Sequence, residues 1–554
     1  MRLPSLLLLV LAAGLATFAL WFLPNRPVTV DAPPGGRVPS LSFAPFRDGQ
    51  SPFSRTYPSR EQIDQDLRIL SAQAAGLRTY TSLEGMAAVP ELAGTYGLSV
   101  TMGAWLDSQD AINEAEVAAV IRLANQYPQV IRRVIVGNEA LLRGTVRPEA
   151  LAGYLARVRA QIRQPVSYAD VWEFWLKYPQ IAEQVDFITI HLLPYWEDQP
   201  AGVEEAARSI LTAHRKVAER FPGKPILVGE AGWPTAGRSR GPAVPGVVNK
   251  ARFDARFMAL ARENGFDYNL IEAFDQNWKI RLEGTVGGKW GLYRADRSAK
   301  FTLGQPVVED ADWPLKAGLA WALAAALLLA TLHAGPPLPR AGAAVVALFA
   351  TGLASGWVHA ADIGWSWHSY GQDLALAALV LLLQALLIPA VLLALAGLWR
   401  PSGSGGCARL SRLGAGAAIL LTGLAVVWTL LLTFDGRYRD VPVAPLAGPC
   451  LALGGLALVR AWRRPAGQGW ARALSAAGLF ASDHGLPAAP GAARRRDLLL
   501  GGLLVAGALA SPWAEGGTSR EALIWGALQI ILAVPYLAGS IAGASGRSRA
   551  RAPA

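Results

Sequence analysis

Apolar and polar positions split the chain into two unlike parts. From residue 24 to 312 short apolar or β-branched runs alternate with amphipathic stretches, the pattern of strands and helices in turn. Runs near residues 41–46, 77–80, 99–105, 134–137, 166–169, 187–191, 226–229 and 268–273 read as strands, and segments such as 60–75, 111–125, 148–163, 203–220 and 250–264 as intervening helices. Eight strands within residues 41–312 match a (β/α)8 TIM barrel, typically about 250 residues. An open doubly wound sheet is the alternative that this alternation allows. In a barrel, function sits at the C-terminal ends of the strands, so chemistry is sought there.

The flanking segments are apolar. Residues 5–23 form one run preceded by Arg2. It exceeds the roughly 7–15 residues of a signal-peptide core, and no small-residue cleavage site comes before Pro24. Residues 1–23 therefore read as an uncleaved anchor; as a signal peptide they would equally export residues 24–312. Residues 24–40, with the stretch DAPPGG, read as a linker. Past residue 312, runs at 315–333, 341–358, 374–398, 413–433, 444–459, 498–514 and 523–543 approach the length of about 20 residues that crosses a bilayer, the one at 444–459 being the shortest. The expected order is anchor 1–23, linker 24–40, barrel 41–312, a seven-helix membrane region 313–545 and a basic tail 546–554, with eight crossings and the lipid bilayer as a partner.

Composition agrees with a membrane protein. Hydrophobic residues make up 52% of the 554 and charged residues 17%, against a globular norm of about 25% charged, and mean hydropathy is +0.27. The 52 Lys and Arg against 41 Asp and Glu, a net charge of +11, would invite a nucleic-acid reading in a soluble protein. The surplus lies in the apolar segments, while residues 24–312 carry equal numbers of each sign, so no nucleic-acid partner is expected. Arg340, Arg400, Arg409, Arg412, Arg460, Arg463, Arg464, Arg472, Arg494, Arg495, Arg496, Arg547, Arg549 and Arg551 fall in one alternating set of loops and the tail; the other set holds only Arg437, Arg439 and Arg520. Cytoplasmic loops are the ones enriched in Lys and Arg. Both termini are therefore expected in the cytoplasm and the barrel on the opposite, extracytoplasmic side. The bundle reads first as an anchor: Trp365, Trp367 and His368, and the stretch DGRYRD at 435–440, suit a glycan or a partner but are also ordinary at membrane boundaries. No intramembrane row of ionisable groups marks an ion path. Cys407 and Cys450 both lie in the apolar part, so residues 24–312 form no disulfide.

Two carboxylates stand at strand ends. The fourth strand runs into Gly137-Asn138-Glu139 and the seventh into Gly229-Glu230-Ala231-Gly232-Trp233-Pro234. Each glutamate follows a buried strand and a glycine, which aims it at a cleft. Either alone could be the buried partner of an arginine such as Arg78, or a helix cap. Two carboxylates facing across a barrel mouth suit glycoside hydrolysis, in which one protonates the leaving oxygen while the other attacks the anomeric carbon or activates water.

These motifs resemble the two signatures of glycoside hydrolase family 17, the β-1,3-glucan-active enzymes. The resemblance spans about residues 40–305 and includes Arg78-Thr79-Tyr80, Pro194-Tyr195-Trp196, Phe274 through Lys279, and Trp290-Gly291-Leu292-Tyr293. It implies a retaining mechanism with Glu139 as acid/base and Glu230 as nucleophile. The carboxyl groups would then lie about 5–5.5 Å apart, against roughly 6.5–9.5 Å for an inverting pair. Glu139 should have its pKa raised by burial and by the Glu230 charge, and Asn138 should hydrogen-bond a sugar 2-hydroxyl. Arg78, Tyr80, His191, Tyr195, Trp196, Trp233, Gln276, Trp278 and Lys279 are the further substrate-binding candidates, with Trp196, Trp233 and Trp278 as subsite walls, since aromatic faces cover sugar rings. Trp172, Trp175 and Trp290 also cluster near strand ends, as wall or as core. Two positions depart from the plant members: Gln276 replaces a third glutamate, and Leu193 a tyrosine.

No metal or cofactor motif stands out, and His191 reads as a neighbour of the site rather than a ligand. The arrangement is similar to bacterial proteins of β-(1,3)/(1,6)-glucan synthesis, which makes a β-glucan the expected substrate and a glucan synthase a candidate partner. A membrane-tethered transglycosylase is the preferred reading. An endo-β-1,3-glucanase that only hydrolyses, a glycan-binding module and an export protein are the alternatives.

Overall fold

A computed structural model describes residues 3–31, 36–368, 370–401, 408–464, 469–479 and 490–549. Arg2, the linker centre at 32–35, Cys407, and the tail from 550 onward, with Arg551, lie outside the described residues. The chain divides into two units, one comprising Met1–Arg26 with Asp310–Ala554 and the other Pro27–Glu309.

The second unit is a closed barrel of eight parallel strands, each paired with its sequence neighbours: β1 (Leu41–Ser42), β2 (Gly76–Arg78), β3 (Ser99–Ala104), β4 (Ile131–Asn138), β5 (Val166–Val171), β6 (Ile188–Leu192), β7 (Ile226–Ala231) and β8 (Asp267–Leu270). Leu41 of β1 pairs with Leu270 of β8 and closes the ring, which excludes the open sheet. The strands are buried on both faces, as parallel strands wrapped by helices must be; every residue of β6, ITIHL, is buried. Helices Arg60–Leu70, Asp110–Gln126, Pro148–Arg159, Ala206–Arg220 and Val247–Asn264 lie between strands. A capping box between Ser59 and Gln62 starts the first of these. Gly265, in the left-handed region at φ 67°, ends the last, where a side chain would be strained. β1 covers only the first two residues of the apolar run at 41–46, and Phe43 N still donates to Arg78 O at 2.8 Å.

The ladder is irregular where the site lies. Register shifts fall between Ile135 and Asn138, between Ile190 and His191, and between Val228 and Ala231. Such irregularities bend a strand and re-aim its side chains. After the shift in β6, His191 stands opposite Glu230 of β7.

The first unit contains, among the described residues, eight helices long and apolar enough to cross a membrane: Leu3–Phe22, Trp313–His333, Arg340–Ser366, Gly371–Gly397, Ala408–Asp435, Val443–Trp462, Arg494–Ala514 and Arg520–Ile541. They make this a multi-pass membrane protein. The run at 444–459 extends to 20 residues, enough for about 30 Å at 1.5 Å per residue. Leu15, Leu348 and Leu420 point outward, more than half exposed, as lipid-facing leucines do. Trp365 is 79% exposed, and Arg439 pairs with Asp435 at 2.7 Å. Lys316 bridges Asp310 at 2.7 Å and Asp362 at 2.8 Å, an ionic cluster that the sequence pattern does not announce.

Candidate active site

Arg78 at the end of β2 organises the mouth of the barrel. Its guanidinium is almost wholly buried; Nη1 donates to Gly229 O at 2.7 Å and to Glu230 Oε1 at 3.2 Å, and Nη2 donates to Asn138 Oδ1 at 2.6 Å. One side chain thus ties β2 to β4 and β7. Gly229 is required for this approach, since a Cβ there would run into Thr189 and crowd Arg78. Tyr80 donates to Glu230 Oε1 at 2.9 Å and shares a hydrogen bond with Ser42 Oγ at 2.9 Å. Burial and the Glu230 charge push the Tyr80 pKa well up, so it stays a protonated donor.

Glu139 follows β4 with a positive φ of 51°, its own N–H bonded to Ala169 O at 2.7 Å. Its carboxylate meets His191 Nδ1 at 2.6 Å. His191 Nε2 stands 3.5 Å from Glu230 Oε1 and 3.4 Å from Arg78 Nη1. Nδ1–H donates to the Glu139 carboxylate. Arg143, stacked over Trp105 with its guanidinium carbon 4.3 Å from the ring centre, donates to Asn138 O at 3.0 Å and holds the loop that carries Glu139.

The electrostatics differ from the sequence expectation. Burial pushes the Glu139 pKa up, but the His191 hydrogen bond, with the His191, Arg78 and Arg143 charges, outweighs it and holds the carboxyl below its ordinary range. The repulsion expected from Glu230 is absorbed by Arg78 and Tyr80, which already bind that carboxylate.

One oxygen of each glutamate and one ring nitrogen of His191 lie within 4.8 Å of one another. The trio offers donor atoms that a metal ion could use. Its atoms are occupied by one another, and the Arg78 cation 3.2 Å from Glu230 repels a second cation.

Some predicted site residues lie inside the wall instead. Tyr195 is fully buried and donates to Arg238 O at 2.7 Å. Trp233 is fully buried, with Nε1 donating to Val244 O at 2.9 Å, so it is core and not an open subsite wall. Gln276 is also fully buried; its amide donates to Ala44 O and Phe274 O, and its Oε1 accepts from Trp278 Nε1 at 2.9 Å. With its amide engaged in this way, Gln276 braces Trp278 rather than facing a ligand. Trp175 and Trp290 are core as well. Trp172, Trp196 and Trp278 keep partly open faces. Trp278 packs edge-on at 5.9 Å against Phe46 and against the exposed Phe53, and Arg240 stands 5.5 Å over Trp196.

Sequence reasoning missed Glu272, just past β8. It is 1% exposed, and Lys279 Nζ stands 3.6 Å from its Oε1. Burial, opposed by Lys279, drives its pKa up to about 7, and the Glu230 charge adds to the rise. Glu283 also bears on Lys279, and these carboxylates hold the Lys279 pKa above its ordinary value despite burial. The signal available was position alone: a carboxylate at the C-terminal end of a barrel strand.

Residues 40–291 match the family described as the BtgE/BtgC glycoside hydrolase domain. A glucan 1,3-beta-glucosidase of Arthroderma benhamiae is 27% identical over 261 residues, covering 43% of this chain and 83% of that protein. A glucan 1,3-beta-glucosidase of Schizosaccharomyces pombe is 28% identical over 259 residues, covering 43% and 79%. Among solved structures, a glycoside hydrolase family 17 beta-1,3-glucanosyltransferase from Rhizomucor miehei is similar at 22% identity and a TM-score of 0.43, covering 48% of this chain and 98% of that one. The barrel is thus similar to the BtgE/BtgC glycoside hydrolase domain, and the matched residues stop short of the apolar helices past residue 312.

Proposed function

We propose that the barrel acts on β-1,3-glucan by retention, through a covalent glucosyl-enzyme, with Glu230 as nucleophile and Glu139 as acid/base. The observation that carries this reading is that one oxygen of Glu139 and one of Glu230 lie within 4.8 Å of each other, a closeness that suits direct attack by one carboxylate. The relatives' names supply the substrate class.

In the first step a Glu230 oxygen bonds to the anomeric carbon, the bond to the leaving sugar breaks, and the Glu139 proton goes to the departing oxygen. In the second, water or an acceptor hydroxyl bonds to that carbon, the ester to Glu230 breaks, and Glu139 takes the proton. Arg78 and Tyr80 hold the attacking carboxylate and spread its charge. Asn138, whose Oδ1 is taken by Arg78, keeps its amide N–H for the 2-hydroxyl. His191 competes with the leaving oxygen for Glu139: bound substrate displaces that hydrogen bond, which removes the main influence lowering the pKa and leaves burial to raise it.

The membrane spans and arginine pattern support an exported, tethered enzyme with both termini in the cytoplasm, in a bacterial inner membrane. An enzyme so placed meets newly exported glucan, which favours transfer to a sugar acceptor over hydrolysis, with a glucan synthase as its candidate partner. The test is to incubate the full chain in detergent with laminari-oligosaccharides, beside Glu230→Ala. Longer or branched products are expected from the wild type and none from the variant. Shorter products alone would assign hydrolysis, and an inactive wild type would overturn the reading.

A further inference from the structure

Glu139 stands where a turn begins. Its carbonyl oxygen accepts from Arg143 N at 2.8 Å, and the turn closes with Thr145 N on Ala140 O at 3.0 Å. A residue so placed is the cap of its turn, and a side-chain oxygen there ordinarily accepts from the N–H groups two and three positions on. Those groups belong to Leu141 and Leu142, and β5 takes both instead. Leu141 N donates to Tyr168 Oη at 2.8 Å and Leu142 N to Asp170 Oδ2 at 3.3 Å. Tyr168 in turn donates to Asp170 Oδ2, while Val171 N donates to Asp170 Oδ1 at 2.8 Å. Burial and the Asp170 charge push the Tyr168 pKa well up. Its hydroxyl therefore keeps the proton it shares with Asp170 and offers a lone pair to Leu141.

Tyr168 and Asp170 are closed off, at 1% and 0% exposed, whereas the Glu139 side chain is 24% exposed. They act on the turn and not on a substrate. Side chains two positions apart on a strand share a face, and Ala169 between them accepts from Glu139 N at 2.7 Å. Three consecutive residues of β5 thus hold one turn. Gly137, at φ 86°, makes room for this, since a Cβ there would stand 3.2 Å from the Tyr168 ring. Glu139 itself keeps a φ of 51°, a conformation that persists in a residue with a side chain only where the surroundings impose it. We propose that Tyr168 and Asp170 are positioning residues that cap this turn in place of Glu139, leaving its carboxyl free to serve the leaving oxygen. This rests on the acid/base role given to Glu139. Once the Leu141 and Leu142 N–H groups lose their acceptors, the Glu139 carboxylate takes them over, which holds it as an anion and turns it from the departing sugar.

The test uses the full chain in detergent and two substrates that differ only in the leaving group, phenyl and 2,4-dinitrophenyl β-laminaritrioside. Phenoxide needs a proton to depart; dinitrophenoxide leaves without one, so kcat/KM on the second substrate does not depend on the acid. The variants are Tyr168→Phe, which removes one cap without changing charge, and Tyr168→Phe with Asp170→Ala. On the phenyl substrate kcat/KM should fall about tenfold in the first and about a hundredfold in the second, within the range that a general acid supplies. On the dinitrophenyl substrate it should fall less than about threefold, while kcat and KM drop together because the glucosyl-enzyme awaits its base. A partly unfolded variant loses both substrates in equal measure, so the ratio between them reads the carboxyl and not the fold. An equal fall on both would assign Tyr168 and Asp170 to structure and overturn the proposal, and no fall on either would overturn it as well; in both cases the glucan reading stands. A parent that turns over neither substrate would sink both readings.

Discussion

Glu230 and Glu272 leave the barrel at the ends of adjacent strands, and both are at least 95% buried by exposures of 5% and 1%. Their surroundings treat them oppositely. Glu230 receives Arg78 at 3.2 Å and Tyr80 at 2.9 Å, while neither oxygen of Glu272 has a hydrogen-bond partner. The difference separates two uses of a buried charge. A partnered carboxylate holds a geometry from the moment the chain folds; an orphaned one costs stability.

The sharpest way to break this comparison is to orphan Glu230 as well. Arg78→Leu removes the cation from a buried pair and should destabilise the full chain by about 3–5 kcal/mol, read as a lower denaturant midpoint, while activity is lost because Asn138 and Glu230 are no longer held. If Arg78→Leu unfolds at the parental midpoint, Arg78 does not brace the mouth of the barrel. A smaller effect is expected on the other carboxylate. His191→Phe removes the hydrogen bond that pulls Glu139 down, so burial dominates and its pKa rises. With Glu139 in the proposed role of acid, which starts protonated, the basic limb of kcat/KM against pH should move upward. A limb that stays in place would remove His191 from the control of Glu139.

The smallest predicted effect lies in stability against pH. Glu272 is shifted from 4.5 up to about 7 by burial. Between those values the folded chain binds more protons than the unfolded chain, so stability is greatest below about 4.5 and falls as pH rises toward 7. Glu116, buried beneath Thr81 and Ser82, is shifted the same way, also to about 7. Glu272→Gln should flatten the slope of the denaturant midpoint over that window without abolishing it, since Glu116 remains. An unchanged slope would show that Glu272 does not titrate there.

Much of this arrangement is legible in the chain without the structure. The eight strands and eight apolar spans follow from local pattern, because a buried parallel strand and a lipid-facing helix both need continuous apolar residues. Glu139 and Glu230 are legible for a related reason: each stands within two residues of a glycine at the C-terminal end of a strand. The illegible part depends on partners far away in sequence. Arg78 acts on Glu230 from 152 positions away, and the His191 hydrogen bond that holds Glu139 down comes from 52 positions away. Tyr195, Trp233 and Gln276 sit in loops past strand ends, where no alternation fixes which way a side chain turns, and they point into the wall. Glu272 lacks the glycine signature, following Ile271 instead, and its empty surroundings are a property of packing alone.

The central claim is that Glu230 becomes covalently glucosylated. The direct measurement is intact-protein and peptide mass after incubating the full chain with a 2-deoxy-2-fluoro-β-glucosyl fluoride, which slows the second step of a retaining enzyme more than the first. The account predicts one added fluoroglucosyl mass per chain, carried by the peptide that contains Glu230 and absent in Glu230→Ala. Turnover of glucan without any adduct, together with a first-formed product of inverted anomeric configuration, would contradict it.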